Sequence, residues 1–286
     1  MGIVSNAMQK QKKDGAAPIG KPPAASPPAS QAPPANRETP SSAVVTETVA
    51  APAAVAVAPG SIDEHPNYSP TLVAFHDRTG RITEQYRALR ARLLAKYGEK
   101  AFCLMVTSAE SGEGKTVTCL NLGLVLAGQQ ERKIVVVDCD LRRRRIAAMM
   151  HMKNSPGMTE LLAGTATLGE VLRPTAHPNL TVIPAGAARE DAGELVTRPE
   201  LGEIISQLRR QYDTVLIDAP PVNAVSDVGI LGPAAGEALM VVRMNHTRRE
   251  TVDKAIHLLE AVNVKIIGMV LTHQKYFIPN YLYRYS

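Results

Sequence analysis

Residues 108–116 read SAESGEGKT, a short loop motif between two apolar segments. Before it stands AFCLMVT (101–107), a run short enough for a buried strand; after it stands TVTCLNLGLVLAG (116–128), which has the pattern of a helix ended by Gly128. A strand, a loop of the form A-x-x-x-x-G-K-T and a helix together predict a phosphate-binding loop. Ala109 takes the place of the usual first glycine, which is tolerable if this residue keeps a negative φ.

Each part of this loop has chemistry suited to a nucleotide phosphate. Backbone N–H groups of 112–116 can donate to phosphate oxygens, and Gly112 and Gly114 let the backbone approach closely. Lys115 can reach the β- and γ-phosphates, and the Thr116 hydroxyl can ligate Mg²⁺. The alternative, a chance glycine-rich turn, is disfavoured by the flanking strand and helix. The predicted nucleotide-binding residues here are Ala109, Glu110, Ser111, Gly112, Glu113, Gly114, Lys115, Thr116 and Val117.

Apolar runs alternate with amphipathic segments along the rest of the chain. Alternation of this kind predicts an α/β fold, a mostly parallel sheet with helices on both faces, in which ligands bind at the carboxyl ends of the strands. No internal repeat is visible. Strands are predicted at 101–107, 132–138, 180–185, 213–218, 237–243 and 264–271, and helices at 81–98, 116–128, 158–163, 167–172, 199–210 and 248–261.

Acidic residues follow two of these strands. VVVDCDLR (135–142) places Asp138 and Asp140 at one strand end, and VLIDAPP (215–221) places Asp218 at another. One carboxylate of the first pair could hold the metal's water shell while the other accepts a proton, and Asp218 could bond a metal-bound water near the γ-phosphate. The alternatives are a solvated turn for the pair and a structural turn for Asp218.

Composition divides the chain into unequal parts. Ten of its 21 prolines fall between Pro18 and Pro59, in a run of Ala, Pro, Ser and Val that cannot bury enough surface to offset its ordering entropy. Residues 1–70 are therefore predicted to be a disordered tether, 71–275 the nucleotide-binding domain and 276–286 a tyrosine-rich tail. Three cysteines without paired spacing and no apolar run of about 20 residues favour a soluble cytoplasmic protein.

The three motifs AESGEGKT (109–116), VVVDCDLR (135–142) and VLIDAPP (215–221) together resemble those of the bacterial tyrosine kinases of capsule and exopolysaccharide synthesis. The resemblance covers about residues 75–286. It implies ATP and Mg²⁺ as cofactors, Lys115, Asp138 and Asp140 as catalytic residues, and Thr116, Asp138 and Asp218 around the metal. Related partition and division-site ATPases share the fold but carry a lysine at the position of Glu110, so the loop favours the kinases.

A second feature of the resemblance is TEQYRALR (83–90), which matches the family's E-x-x-R-x-x-R pattern with Glu84, Arg87 and Arg90. In the family this pattern mediates ring-like self-assembly. Residues three apart share one face of a helix. The alternative is an ordinary i,i+3 ion pair on a solvated helix.

The C-terminus carries four of the chain's eight tyrosines: Tyr276, Tyr281, Tyr283 and Tyr285. The resemblance implies that they are phosphorylated by neighbouring subunits. Alternatively, Tyr281, Tyr283 and Tyr285 alternate and could line one face of an edge strand.

The resemblance implies further partners and leaves alternatives. It implies a membrane adaptor of polysaccharide export that recruits the kinase to the inner face of the plasma membrane, an opposing tyrosine phosphatase, and no nucleic acid. The alternative is an ATP-switched scaffold of an export complex without kinase activity. Two departures bear on specificity: Thr272 replaces the family's adenine-reading asparagine, and DAGEL (191–195) replaces N-P-x-E-L. The basic run from Arg142 to Arg145 is either an anion site or a solvated helix start.

Overall fold

The structure is a computed structural model that describes residues 67–129, 131–224 and 228–274, with the side chain of Val228 excepted. Most of the predicted tether and the whole predicted tail lie outside these residues, so both remain predictions.

Ten α-helices and seven β-strands occur within the described ranges. The helices are α1 (Val73–His76), α2 (Arg81–Tyr97), α3 (Lys115–Ala127), α4 (Arg145–Met149), α5 (Met158–Leu162), α6 (Leu168–Val171), α7 (Ala192–Leu195), α8 (Glu200–Gln211), α9 (Val228–Ala235) and α10 (Arg249–Ala261). The strands are β1 (Phe102–Ser108), β2 (Ile134–Asp138), β3 (Arg173–Pro174), β4 (Leu180–Ile183), β5 (Thr214–Asp218), β6 (Glu237–Arg243) and β7 (Lys265–Thr272).

The strands form one sheet in the order β3-β4-β2-β5-β1-β6-β7. All neighbouring pairs are parallel except β3 with β4. The phosphate-loop strand β1 lies between β5 and β6, and β5 lies between β1 and β2. The predicted mostly parallel sheet is confirmed, and its strand order brings the ends of β1, β2 and β5 together.

Central strands are apolar throughout because both of their faces are covered. Every residue of β1, β2 and β5 is buried. One core lies between the sheet and a set of helices that includes α3, and the second lies on the opposite face against helices such as α8 and α10. Helix α3 approaches the sheet closely at Gly123, where a Cβ atom would lie 2.9 Å from Val136 Cγ2.

Each predicted helix and strand has an observed counterpart, with ends displaced by a few residues. The predictions missed α1, α4, α7, α9 and β3. Most of these elements are four or five residues long or shorter, which is too short for periodicity to register. Helix α9 is longer, but it contains Gly229, Gly232 and Pro233, residues that usually indicate a loop. Within the described ranges, none of the helices has both the length and the apolar character needed to cross a bilayer.

Candidate nucleotide site

The phosphate loop connects β1 to α3 at the carboxyl edge of the sheet. Gly112 and Gly114 have φ values of 82° and 96°, in the left-handed region that glycine adopts without steric cost. Ala109 is buried and is not among the residues with positive φ, as predicted for an alanine at this position. Lys115 and Thr116 form the first turn of α3, a helix of 13 residues whose free N–H groups suit an anion.

Glu113 fixes this loop to β6. Its carboxylate is fully buried and accepts hydrogen bonds from the Glu110 N–H (2.6 Å), the Arg243 N–H (3.1 Å) and the Thr247 hydroxyl. These donors come from the loop itself, from the end of β6 and from the turn after β6. Sequence reasoning placed Glu113 in the loop only as a nucleotide-binding residue, and its buried carboxylate gives it an additional intramolecular role.

Two threonine hydroxyls, in β7 and in β1, bond the phosphate loop and the turn after β5. The Thr272 hydroxyl, at the end of β7, donates to the Glu113 carbonyl oxygen over 2.7 Å. The Thr107 hydroxyl, in β1, donates to the Pro220 carbonyl oxygen over 2.8 Å and so ties β1 to the turn after β5. Thr272 stands at the position where the resemblance implies an adenine-reading asparagine. Its hydroxyl donates to the backbone of the phosphate loop instead.

Lys115 and Asp140 form a buried ion pair. Lys115 Nζ lies 2.6 Å from Asp140 Oδ2, and the two side chains are 7% and 4% exposed. Asp140 belongs to the turn after β2, so the pair joins two of the predicted site loops. Removing one partner from a buried pair is strongly destabilising, because it leaves an uncompensated charge.

Thr116 and Asp218 meet at the end of β5. The Thr116 hydroxyl donates to Asp218 Oδ2 over 2.7 Å. The other oxygen, Asp218 Oδ1, is buried and has no hydrogen-bond partner among the described residues. A buried carboxylate oxygen without a partner is rare in folded proteins and indicates a position for a missing ligand or water.

Asp138 lies beside Asp218, because the two residues are direct partners in the β2–β5 ladder. Its carboxylate accepts hydrogen bonds from the N–H groups of Asp140 and Ile146, each over 3.2 Å. The second bond satisfies a free donor in the first turn of α4. Asp138 therefore also shapes the turn that carries Asp140.

Burial perturbs both adjacent carboxyl groups. Burial raises the pKa of Asp138 well above its usual range, and the neighbouring Asp218 acts in the same direction. Burial also raises the pKa of Asp218, to about 7, while Lys115 and the Thr116 hydroxyl oppose that rise. Asp138, Asp140 and Asp218 are all buried, and Lys115, which pairs with Asp140 and acts on Asp218, is buried with them.

This arrangement fits a divalent cation. The cluster of buried carboxyl groups, the free Asp218 Oδ1 and the Thr116 hydroxyl are the features expected where Mg²⁺ binds with a nucleotide. Within the described ranges, no group of three or more His, Cys, Asp or Glu is arranged to hold a metal by itself. The ion would therefore draw its remaining ligands from nucleotide phosphates and water.

The other predicted loop residues occupy varied positions. Glu110 exposes its side chain, and its carbonyl oxygen accepts from the Ser108 hydroxyl over 2.6 Å. Ser111 Oγ is buried and has no partner among the described residues. Val117 is half-buried in the first turns of α3. The structure thus brings all the predicted loop residues to one edge of the sheet beside Asp138, Asp140 and Asp218.

The predicted assembly residues lie on α2, away from these strand ends in sequence. Glu84 and Arg87 form an i,i+3 ion pair, the arrangement that the alternative interpretation expected. Arg90 Nη1 donates over 2.8 Å to the carbonyl oxygen of Val125, in the last turn of α3. A guanidinium at a helix C-terminus satisfies a free carbonyl and complements the helix dipole. Tyr276, Tyr281, Tyr283 and Tyr285 lie outside the described residues.

Sequence reasoning missed Asn223, in the 3₁₀ turn after β5. The Asn223 N–H donates to the Ala109 carbonyl oxygen over 3.3 Å, its side-chain amide donates to Thr251, and its Oδ1 is buried without a partner among the described residues. An asparagine two residues after the predicted VLIDAPP motif carries no sequence signal of such contacts.

A strand, a glycine-containing loop and a helix starting at Lys-Thr, with aspartates at the ends of β5 and β2, define the class of P-loop nucleotide-binding proteins. A family model described as an AAA domain matches residues 103–268.

Comparison with known proteins narrows this class. The chain is 30% identical over 205 residues to the tyrosine-protein kinase YwqD of Bacillus subtilis, covering 71% of this chain and 86% of that protein. It is 31% identical over 201 residues to the tyrosine-protein kinase wzc of Salmonella typhi, covering 70% of this chain but only 28% of that protein. The structure resembles the kinase domain of the Escherichia coli tyrosine kinase ETK, with a TM-score of 0.68, 28% identity and coverage of 75% and 86% of the two chains. The chain belongs to the family of bacterial tyrosine-protein kinases.

Proposed function

We propose that the chain is an ATP-dependent protein-tyrosine autokinase, which transfers the γ-phosphoryl group of ATP to C-terminal tyrosines of neighbouring copies. The observation that carries this proposal is the pairing of Lys115 with Asp140 and of Thr116 with Asp218 at adjoining strand ends. Membership of the tyrosine-kinase family supports it.

The phosphate loop and Lys115 bind and orient the nucleotide. The N–H groups of 112–116 donate to phosphate oxygens, and Lys115 exchanges Asp140 for the β- and γ-phosphates. This exchange is possible because Lys115 is a compact charge on a flexible stem. Mg²⁺, when bound, would neutralise charge that develops on the transferred group, and the Thr116 hydroxyl and Asp218 would hold it and its water shell.

Asp138 and Asp140 are the two candidates for the acceptor of the tyrosine proton, and their contacts differ. Asp140 is committed to Lys115 before nucleotide binds. Asp138 has a raised pKa and hence a higher proton affinity, which suits a group that takes a proton from a phenol with a pKa of about 10. We therefore assign the proton acceptor to Asp138, and Asp140 to holding and releasing Lys115.

The acceptors are Tyr276, Tyr281, Tyr283 and Tyr285. A terminal segment can enter the site of another copy, so self-assembly in a ring fits the reaction. Glu84, Arg87 and Arg90 support that ring in the proposal. The role of the kinase is regulation of exopolysaccharide chain length and export. A membrane adaptor recruits the kinase to the inner face of the plasma membrane, and a tyrosine phosphatase opposes its activity.

The test is phosphate mapping on the purified full chain with Mg·ATP, alone and with the cytoplasmic tails of candidate membrane adaptors. Intact mass and peptide spectrometry would locate the phosphate. We expect phosphotyrosine within 276–285 that is lost in Lys115→Met and in a variant with the four tail tyrosines changed to Phe. Asp138→Asn should lower transfer more than it lowers ATP binding.

One outcome would refute the kinase proposal. ATP turnover without phosphotyrosine, even with the adaptor tail present, would leave the ATP-switched scaffold as the function. Phosphotyrosine that persists in Lys115→Met would come from a contaminating kinase. Protein prepared from a different host would exclude that source.

A further inference from the structure

A cavity of about 710 Å³ opens directly beside the Asp140 turn. It lies between that turn and the 188–197 segment, which includes α7. Its charged and apolar lining includes Leu141, Arg142, Arg144, Arg189, Glu190 and Glu194. Arg143, in the middle of the same basic run, does not line it.

In the part of the chain that the structure describes, two of the three lining arginines have no ion-pair partner. Arg189 is held by Asp191 through two hydrogen bonds, of 2.7 and 2.8 Å. Among the described residues no carboxylate pairs with Arg142 or Arg144. Arg142 and Arg144 thus leave two guanidinium groups available in a cavity that also holds the carboxylates of Glu190 and Glu194. Guanidinium groups bind anionic groups that offer several oxygens.

The turn that carries these arginines is built around Asp140. The N–H groups of Arg143 and Arg144 both donate to the Asp140 carbonyl oxygen, over 3.0 and 2.8 Å. Arg144 has a φ of 48°, an uncommon left-handed conformation for a side chain of this kind, and α4 begins at the next residue. The left-handed residue thus marks the point where the chain leaves the Asp140 turn. The basic cavity therefore adjoins the turn whose carboxylate, that of Asp140, pairs with Lys115.

The chain's own C-terminal sequence matches the charges of this cavity once it is phosphorylated. Tyr281, Tyr283 and Tyr285 alternate, so in an extended chain they point to one side at intervals of about 6.8 Å. Each aryl phosphate would offer three oxygens to guanidinium donors. Arg284, between two of the tyrosines, carries the charge opposite to that of the two cavity carboxylates, Glu190 and Glu194.

We propose that Arg142 and Arg144 form a phosphotyrosine subsite, which holds a tail tyrosine already phosphorylated while the next tyrosine occupies the reaction centre. The proposal rests on the proposed kinase function. It makes the phosphorylation of one tail sequential, because each transferred phosphate strengthens the binding of that tail for the following transfer. Each step forms one tyrosyl O–P bond, breaks the bond between the γ-phosphorus of ATP and the oxygen that bridges it to the β-phosphate, releases ADP and moves the phenol proton to a carboxylate.

The first arm of the test follows the number of phosphates per chain over time by intact mass. In the double variant Arg142→Gln/Arg144→Asn, singly phosphorylated chains should accumulate, because the second transfer no longer gains from the first phosphate. Asparagine is chosen at 144 because it tolerates the left-handed conformation. We expect the ratio of multiply to singly phosphorylated chains to fall about tenfold, the loss expected when charge-assisted hydrogen bonds are removed.

Arg143→Gln is the matched control. It removes the same charge from the same run but leaves the cavity lining intact, so its phosphate distribution should equal that of the wild type. An unchanged distribution in the double variant overturns the proposal. Loss of all phosphate in that variant also overturns it, because the arginines would then serve the first transfer.

The second arm measures binding without ATP. Synthetic peptides of sequence KYFIPNYLYRYS, with and without phosphate on Tyr285, are titrated into the full chain carrying the four tail Tyr→Phe changes. The phosphopeptide should bind about tenfold more tightly, and Arg142→Gln/Arg144→Asn should abolish that difference. Equal affinity for the two peptides overturns the subsite. This arm decides the proposal even if the wild-type chain forms no phosphotyrosine, which would refute only the kinase function.

Discussion

Removal of the Glu113 carboxylate should destabilise the domain far more than its place in a surface loop indicates. Glu113→Ala leaves three donors without their acceptor: the N–H groups of Glu110 and Arg243 and the hydroxyl of Thr247. Each buried donor left unsatisfied costs about 1–3 kcal/mol. Relief from burying the carboxylate offsets part of this cost.

The expected net loss is about 3 kcal/mol in the free energy of unfolding, since the hydroxyl of Thr247 can turn to another acceptor but the two backbone groups cannot. For a domain of roughly 200 residues this corresponds to a fall in melting temperature of about 6–12 °C. Urea unfolding and thermal scans of the nucleotide-free protein would measure both quantities. The free energy of unfolding of Glu113→Gln should lie between those of Glu113→Ala and the wild type, because the amide oxygen of the glutamine still accepts while its NH₂ group faces donors.

Glu110→Ala is the matched control, because it removes the same charge from the same loop at an exposed side chain whose backbone supplies the contacts. It should change the free energy of unfolding by no more than about 0.5 kcal/mol. If Glu113→Ala and Glu110→Ala unfolded at the same urea concentration, the carboxylate of Glu113 would not anchor the loop and the reasoning would be wrong.

Three further perturbations test other parts of the structure. Gly123→Ala places a methyl group 2.9 Å from a β2 valine and should lower the free energy of unfolding by about 1–3 kcal/mol. Gly202→Ala, in α8, has open space around it and should raise the free energy of unfolding by about 0.5 kcal/mol. Shifts of the same sign for the two variants in urea unfolding would contradict this reasoning. Arg90→Ala should lower the free energy of unfolding of dilute monomeric protein by about 1–2 kcal/mol, because it leaves a carbonyl group at the end of α3 without its donor. Arg87→Ala, measured beside it, should lower this free energy by less. Equal losses would show that Arg90 contributes no more than the solvated Glu84–Arg87 pair. Because burial raises the pKa of Asp218 to about 7, the folded chain retains a proton that the unfolded chain releases near pH 4, so the stability of the nucleotide-free protein should fall as pH rises from about 4 to about 7. Asp218→Asn should make that fall shallower when the free energy of unfolding is measured by urea titration at each pH. An unchanged slope would exclude Asp218 as the source of the pH dependence.

Local pattern was enough to predict most of the fold. The strand before SAESGEGKT was predicted at 101–107 and is Phe102–Ser108, and the helix predicted at 248–261 is Arg249–Ala261. These elements are long enough for their apolar positions to reveal the period. Five shorter or Gly/Pro-containing elements were missed because they lack that length or composition.

The positions of the site residues could also be predicted, because parallel strands deliver their loops to a common edge. Lys115, Asp140 and Asp218 follow three different strands, yet they meet there. The sequence did not reveal which partner each side chain would take. Lys115 lies against Asp140 rather than Asp138, and the two oxygens of Asp138 accept from the backbone N–H groups of Asp140 and of Ile146 in α4.

The sequence by itself determined the alternation of strands and helices, the loop that can bind phosphate and the acidic residues that follow two of the strands, because each of these depends on neighbours within a few positions. Only the tertiary structure decided that Glu113 anchors the loop, that Thr272 bonds the loop backbone and that Arg90 caps α3. The contacts of Glu113 and Thr272 join residues separated by 130 and 159 positions. They exist because β1, β6 and β7 are adjacent in the sheet, and that order follows from how the helices pack on its two faces, which no local periodicity records.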